Sequence, residues 1–150
     1  MPILSSSLKI FSDMADFRYL LDTNIVSELI KNPRGALAET MLASERDRFC
    51  CTSIIVACEL RYGAAKKQSP KLCSNVEQML NSLPVLPLDN SVDEVYAQIR
   101  TDLEQRGLPI GHNDLLIAAH ALSLGLTVVT ANEREFSRVD QLNVENWLNT

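Results

Sequence analysis

At 150 residues the chain supports one well-buried core and leaves too little sequence for two ordinary domains. Hydrophobic residues make up 46% and charged residues 22%, which excludes a disordered chain, and the net charge of −5 excludes a protein that grips nucleic acid through a broad basic face. A polyanionic ligand would need a divalent cation or a basic partner to offset the acids.

Residues 1–18 contain Ile3-Leu4, a serine run and Leu8-Lys9-Ile10-Phe11. Lys9 interrupts any apolar signal region and no basic region precedes it, so the segment reads as an N-terminal extension, either a flexible tail or sequence ahead of a start at Met14. No stretch reaches the roughly 18 apolar residues of a membrane span.

Beyond it, short apolar runs alternate with segments of helical period, the pattern of a parallel sheet with helical crossovers. Tyr19–Leu21 predicts a first strand that stops at Asp22. Asn24–Lys31 predicts a helix stopped by Asn32-Pro33, since the residue before proline is pushed out of the α region. A helix over 36–44 and a strand over 49–52 follow. Ser53 is placed to cap a third helix reaching Lys66, and Ser69-Pro70, with proline at the first helical position, opens a fourth.

A strand over 85–88 precedes a helix over 92–106, where Val92, Val95, Tyr96, Ile99 and Leu103 repeat at the helical period. Asn113-Asp114 starts a further helix that runs to Leu124 and stops at Gly125. Strands over 127–130 and 143–145 complete the series. Cys50, Cys51, Cys58 and Cys73 form no Cys-x-x-Cys pair and have no nearby histidine to complete a zinc site, so they read as structural thiols of a reducing cytoplasm.

The chemistry rests on acids at strand ends and helix faces. Asp22 stands at a strand's carboxyl end, where open α/β sheets bind ligands, and it is equally a favoured helix N-cap. Glu59 has Ile55, Val56, Tyr62 and Gly63 as its helical neighbours, so its carboxylate falls on an apolar side and must be paired, protonated or metal-bound. Arg61 points about 200° round the same helix and is a poor local partner. Asp114 opens the most apolar helix, where the helix dipole alone favours it by roughly 0.3–1 kcal/mol. Asn132 and Glu135 are spaced as a capping box or, alternatively, reach the same site.

Two unit charges about 4 Å apart repel by roughly 4 kcal/mol at an effective dielectric near 20, so gathering these acids calls for a cation. Oxygen-only ligands suit Mg²⁺ or Mn²⁺, and such a centre suits phosphodiester hydrolysis. Arg61, Lys66, Lys67, Arg134 and Arg138 are candidate phosphate contacts or ordinary surface charges.

Leu20-Leu21-Asp22-Thr23-Asn24, Val56-Ala57-Cys58-Glu59-Leu60-Arg61-Tyr62-Gly63, Ile110-Gly111-His112-Asn113-Asp114-Leu115-Leu116-Ile117-Ala118 and Val129-Thr130-Ala131-Asn132-Glu133-Arg134-Glu135-Phe136 together resemble the PIN-domain ribonucleases, and more narrowly the VapC toxins. The resemblance covers about residues 19–148. It implies a three-layer α/β/α domain with a central parallel sheet of four to five strands. It also implies a Mg²⁺- or Mn²⁺-dependent endoribonuclease that cuts RNA, is inhibited by a VapB-like antitoxin, and forms a homodimer and a toxin-antitoxin hetero-oligomer. Carried over by motif, Asp22 and Asp114 would be the principal metal ligands, and Glu59 would help position or deprotonate the attacking water. Many PIN domains carry an acid where Asn132 stands. Either Glu135 reaches the site from its short helix, or Asn132 serves as a neutral ligand, which leaves the number of metals open.

Two other readings compete. A metal-free ribonuclease would have to use His112 and His120, but His120 lies six residues past Asp114 on another side of its helix and reads as structural. A non-catalytic α/β protein-interaction module would use the acids only to attract basic ligands. Asp22-Thr23-Asn24 lacks the second aspartate of an Asp-x-Asp phosphatase.

Overall fold

Five short strands, Tyr19–Leu21 (β1), Cys50–Ser53 (β2), Val85–Leu86 (β3), Thr127–Val129 (β4) and Val144–Glu145 (β5), pair in parallel in the order β3-β2-β1-β4-β5. They belong to a computed structural model that describes residues 16–148. The described helices are Thr23–Lys31 (α1), Ala36–Ala43 (α2), Ile54–Lys67 (α3), Pro70–Ser82 (α4), Val92–Gln105 (α5), His112–Leu124 (α6) and Glu133–Phe136 (α7). The expected extension over 1–18 lies mostly outside the described residues.

Leu20, Leu21, Cys51, Val128 and Val129 are all fully buried, because the three central strands are covered on both faces. The chain steps outward through β1, β2 and β3, then returns past them to β4 and β5. Right-handed crossovers therefore send α1–α4 to one face and α5–α6 to the other. The pairings agree, for α3 packs mainly on α4, and α5 on α6. The direction reverses between β1 and β4, which opens a crevice beyond their carboxyl ends. The Asp22 N–H donates to the Val129 carbonyl at 2.9 Å and fixes that rim.

Several boundaries differ from expectation for local reasons. The strand expected over 85–88 ends at Leu86, since Pro87 has no N–H to extend the ladder. The strand expected over 127–130 ends at Val129; Thr130 still donates its N–H to the Glu145 carbonyl at 2.9 Å and turns its hydroxyl toward Asp22. A 3₁₀ turn, Arg46–Phe49, entered through Glu45 at φ 57°, carried no sequence signal. Of the four cysteines only Cys50 and Cys51 are buried, which pushes both thiols up to about 12; Cys58 and Cys73 are exposed.

Helix α6 stops at Gly125, whose φ of +69° lets the Leu126 N–H reach back to the Ala121 carbonyl at 2.9 Å. A Cβ at Gly125 would meet nothing within 4 Å, so the cost of Gly125→Ala is backbone strain alone. Urea unfolding should show a loss of about 1–2 kcal/mol. An unchanged midpoint would mean that the left-handed cap contributes nothing.

Candidate active site

Asp22 ends β1 and caps α1. Its Oδ1 accepts the Thr23 N–H at 2.8 Å, while Oδ2 accepts the Thr130 hydroxyl at 2.8 Å and the Asn24 amide at 3.4 Å. The residue is only 3% exposed, yet the donors around it are neutral. Burial raises its pKa first; hydrogen bonds from Thr130 and Thr23 pull it down, Glu59 pushes it up, and the balance stays above the ordinary aspartate value.

Glu59 reaches the same place from the second turn of α3. Its Oε1 accepts the Thr23 hydroxyl at 2.7 Å, a partner 36 residues away in sequence. Asp114, in the first turn of α6, is half-buried. Burial, followed by the charge of Asp22, contact with Glu135 and the charge of Glu59, pushes its carboxyl up to about 7. Asn132 brings the fourth acid in, since its side-chain amide donates to Asp114 Oδ2 at 3.4 Å and to Glu135 Oε2 at 3.2 Å.

The capping-box alternative is not realised. Asn132 makes no side-chain cap to α7; instead its own N–H is held by Thr130 Oγ1 at 2.9 Å, which frees the amide to face the acids. Asp22, Thr23, Asn24, Ser27, Glu28, Lys31, Glu59, Asp114 and Asn132 line a cleft of about 450 Å³. Among the described residues none of Asp22, Glu59, Asp114 and Glu135 is ion-paired. Lys31 is the one basic side chain among those lining residues.

The donor set fits a hard divalent cation. Every side-chain donor atom is oxygen, and the acids carry mutual repulsion that a cation would relieve. Among the described residues no group of three or more acidic, histidine or cysteine side chains is placed to hold a metal ion, so a cation here would rest on one or two carboxylates and water. An open arrangement accords with Mg²⁺-type sites, which use one or two carboxylates and keep several waters.

Other expected residues are placed elsewhere. Arg61, expected to meet RNA, is instead held by Glu77 on α4 through both of its terminal nitrogens. Arg134 is exposed on α7 and does not line the cleft. His120 is 1% exposed and bonded to Ser53, so the two-histidine mechanism has no second accessible ring. Ser27 and Lys31 were missed, although Thr23, Ser27 and Lys31 recur at intervals of four along α1 and therefore share a face.

The PIN domain family matches residues 19–142. Ribonuclease VapC2 of Rickettsia felis is 39% identical over 131 residues, spanning 86% of this chain and 97% of that protein. The tRNA(fMet)-specific endonuclease VapC of Shigella flexneri is 37% identical, spanning 87% and 98%. Among solved structures, VapBC from Salmonella typhimurium bound to DNA superposes with a TM-score of 0.81 at 37% identity, over 87% of this chain and 98% of that one. VapBC2 from Rickettsia felis bound to a DNA fragment from its promoter gives 0.80 at 36%, over 87% and 99%.

Asp114 titrates far above the ordinary 3.8, so the folded state takes up a proton that the unfolded chain releases. The penalty is absent below pH 3.8 and fully present above about 7, and stability of the metal-free protein falls as pH rises through that window. In EDTA at pH 8, Asp114→Asn should therefore be more stable than wild type by about 1–2 kcal/mol after allowance for solvent screening. At pH 4 the two should unfold at the same urea concentration. Equal stability at both pH values would show that the like-charge strain is not there.

Proposed function

The chain belongs to the PIN-domain family, among the VapC ribonucleases, and from that premise we propose that it is a toxin endoribonuclease whose acidic cleft holds Mg²⁺ or Mn²⁺. The observation that carries this reading is a set of four acids, Asp22, Glu59, Asp114 and Glu135, gathered at the carboxyl end of a parallel sheet with no ion pair among them.

Asp22 and Asp114 would hold the cation, with Glu135 brought in through Asn132. The bound ion supplies a Lewis acid that makes water more acidic and offsets charge developing on the phosphate. Thr23 orients Glu59 by donating to Oε1, which leaves Oε2 to accept the proton of the attacking water. In-line attack of that water on phosphorus would break the P–O3′ bond, and the departing 3′ oxygen would take a proton from solvent, leaving 5′-phosphate and 3′-hydroxyl ends. Lys31, at the outer end of the Thr23-Ser27-Lys31 face, would meet a neighbouring phosphate of the RNA.

A VapB-like antitoxin is the proposed partner, in a hetero-oligomer built on a toxin homodimer and acting in the cytoplasm. A mostly apolar groove of about 270 Å³ supports this, since Ile30, Leu60, Ala64, Leu72 and Val76 line it and it shares Thr23, Lys31 and Glu59 with the cleft. A partner's apolar segment lying there would sit against the site. Among the described residues no helix is long and apolar enough to cross a membrane.

Purified protein should cleave RNA with Mg²⁺ or Mn²⁺ and stop in EDTA, and Asp22→Asn or Asp114→Asn should each lower kcat about a hundredfold or more. Cleavage that survives EDTA and both substitutions overturns the metal mechanism. Lys31→Ala should raise KM several-fold at unchanged kcat and flatten the salt dependence by roughly one phosphate contact. A loss confined to kcat would remove Lys31 from the substrate's path.

A further inference from the structure

Among the contacts between the helices that carry Glu59 and Asp114, one is a buried hydrogen bond to the residue that caps α3. His120, on α6, places Nδ1 2.8 Å from Ser53 Oγ. Ser53 is fully buried at the end of β2 and caps α3, its Oγ accepting the Ile55 N–H at 3.1 Å. Glu59 stands one turn further along that helix.

The chemistry of the contact fixes its protons. Ser53 Oγ accepts the Ile55 N–H and keeps its own O–H to donate, while the Pro87 carbonyl beside the ring can only accept, which leaves Nδ1 the acceptor toward Ser53. The Pro87 carbonyl and the Asp89 carboxylate lie near enough to favour a charged ring, but burial outweighs them and holds the His120 pKa below the ordinary value. A neutral ring then accepts the Ser53 proton at Nδ1 and carries its own at Nε2. That Nε2 is buried with no hydrogen-bond partner of normal geometry among the described residues. The ring thus lies between Ser53 and the Pro87 carbonyl, contacts that an apolar residue in this alanine-rich stretch could not make.

We propose that His120 is a positioning residue for the acidic cleft. Through Ser53 Oγ it fixes the first turn of α3 against α6, and so sets where Glu59 stands relative to Asp114. The inference rests on reading those two carboxylates as parts of one metal site.

Two substitutions separate the hydrogen bond from packing. His120→Leu keeps most of the volume and removes the acceptor, whereas His120→Asn keeps an acceptor near the Nδ1 position and gives up volume. Mn²⁺ affinity is read by electron paramagnetic resonance, the Ile55 amide by hydrogen exchange in the metal-free protein, and the melting temperature alongside them. His120→Leu should weaken Mn²⁺ binding about tenfold and speed Ile55 exchange, while His120→Asn stays within about twofold of wild type on both, even at a lower Tm. If Asn weakens Mn²⁺ more than Leu does, or if both variants lose only Tm, His120 is a packing residue and the inference is overturned. A wild-type protein that binds no Mn²⁺ overturns the metal reading itself, an outcome distinct from either of these.

Discussion

Asp22 is a buried carboxylate that the fold surrounds with neutral donors and no cation. Neutral donors satisfy its lone pairs without cancelling its charge, so the negative potential is kept and directed into the cleft. The same device is repeated around the site: the Thr23 hydroxyl serves Glu59, and the Asn132 amide serves Asp114 and Glu135. Thr130 links the two halves, donating to Asp22 while accepting the Asn132 N–H. This chain of contacts depends on β1 and β4 being adjacent and in register, because only then do Asp22 and Thr130 leave the sheet side by side.

What the sequence disclosed follows from the range of the forces involved. The strand that ends at Asp22, the cap at Ser53 and the stop at Gly125 are local, and each was legible from its neighbours. For Asp22 the cap and the site were read as alternatives, yet one carboxylate can serve both, since Oδ1 caps the helix while Oδ2 meets Thr130 at the cleft. The helical period placed Glu59 on the correct side of α3 but could not supply Thr23, a partner fixed by packing between α1 and α3. At Asn132 the local pattern left two uses open, since a capping box is the cheapest use of Asn-x-x-Glu until a hydroxyl from Thr130 takes over the backbone donor. Lys31 was hidden by its place in a last turn, where a lysine already has a reason to be.

The net charge of −5 and an RNA substrate are compatible because binding here is local. Repulsion from scattered surface acids is screened beyond roughly 8 Å at physiological salt, whereas groups lining one cleft act on each other directly. Arg61 is spent on Glu77, Arg100 on Glu104 and Arg106 on Asp102, which leaves those guanidiniums to brace helices. The cleft itself presents one ammonium beside a cluster of acids, and a cation that neutralised part of the cluster, as proposed, would ease the approach of phosphate. Cation and substrate binding would then be coupled, each making the other more favourable.

Asn132 bears on the charge of that cluster. A carboxylate at this position would stand within reach of both Asp114 and Glu135 and could donate to neither. Asp114 is already pushed up to about 7 by burial and by its acidic neighbours, and a further charge would drive it higher and strain the metal-free fold. An amide reverses the sign of that contact, because it donates to both acids and holds Glu135 in place without adding charge. The cluster then carries one negative charge fewer than an all-acid version at the same positions. A hard cation that keeps several of its waters would need only one or two of the carboxylates, so the lower charge remains compatible with the proposed metal. An amide in place of an acid therefore lowers the charge of the cluster and gives Glu135 its place through a neutral intermediary.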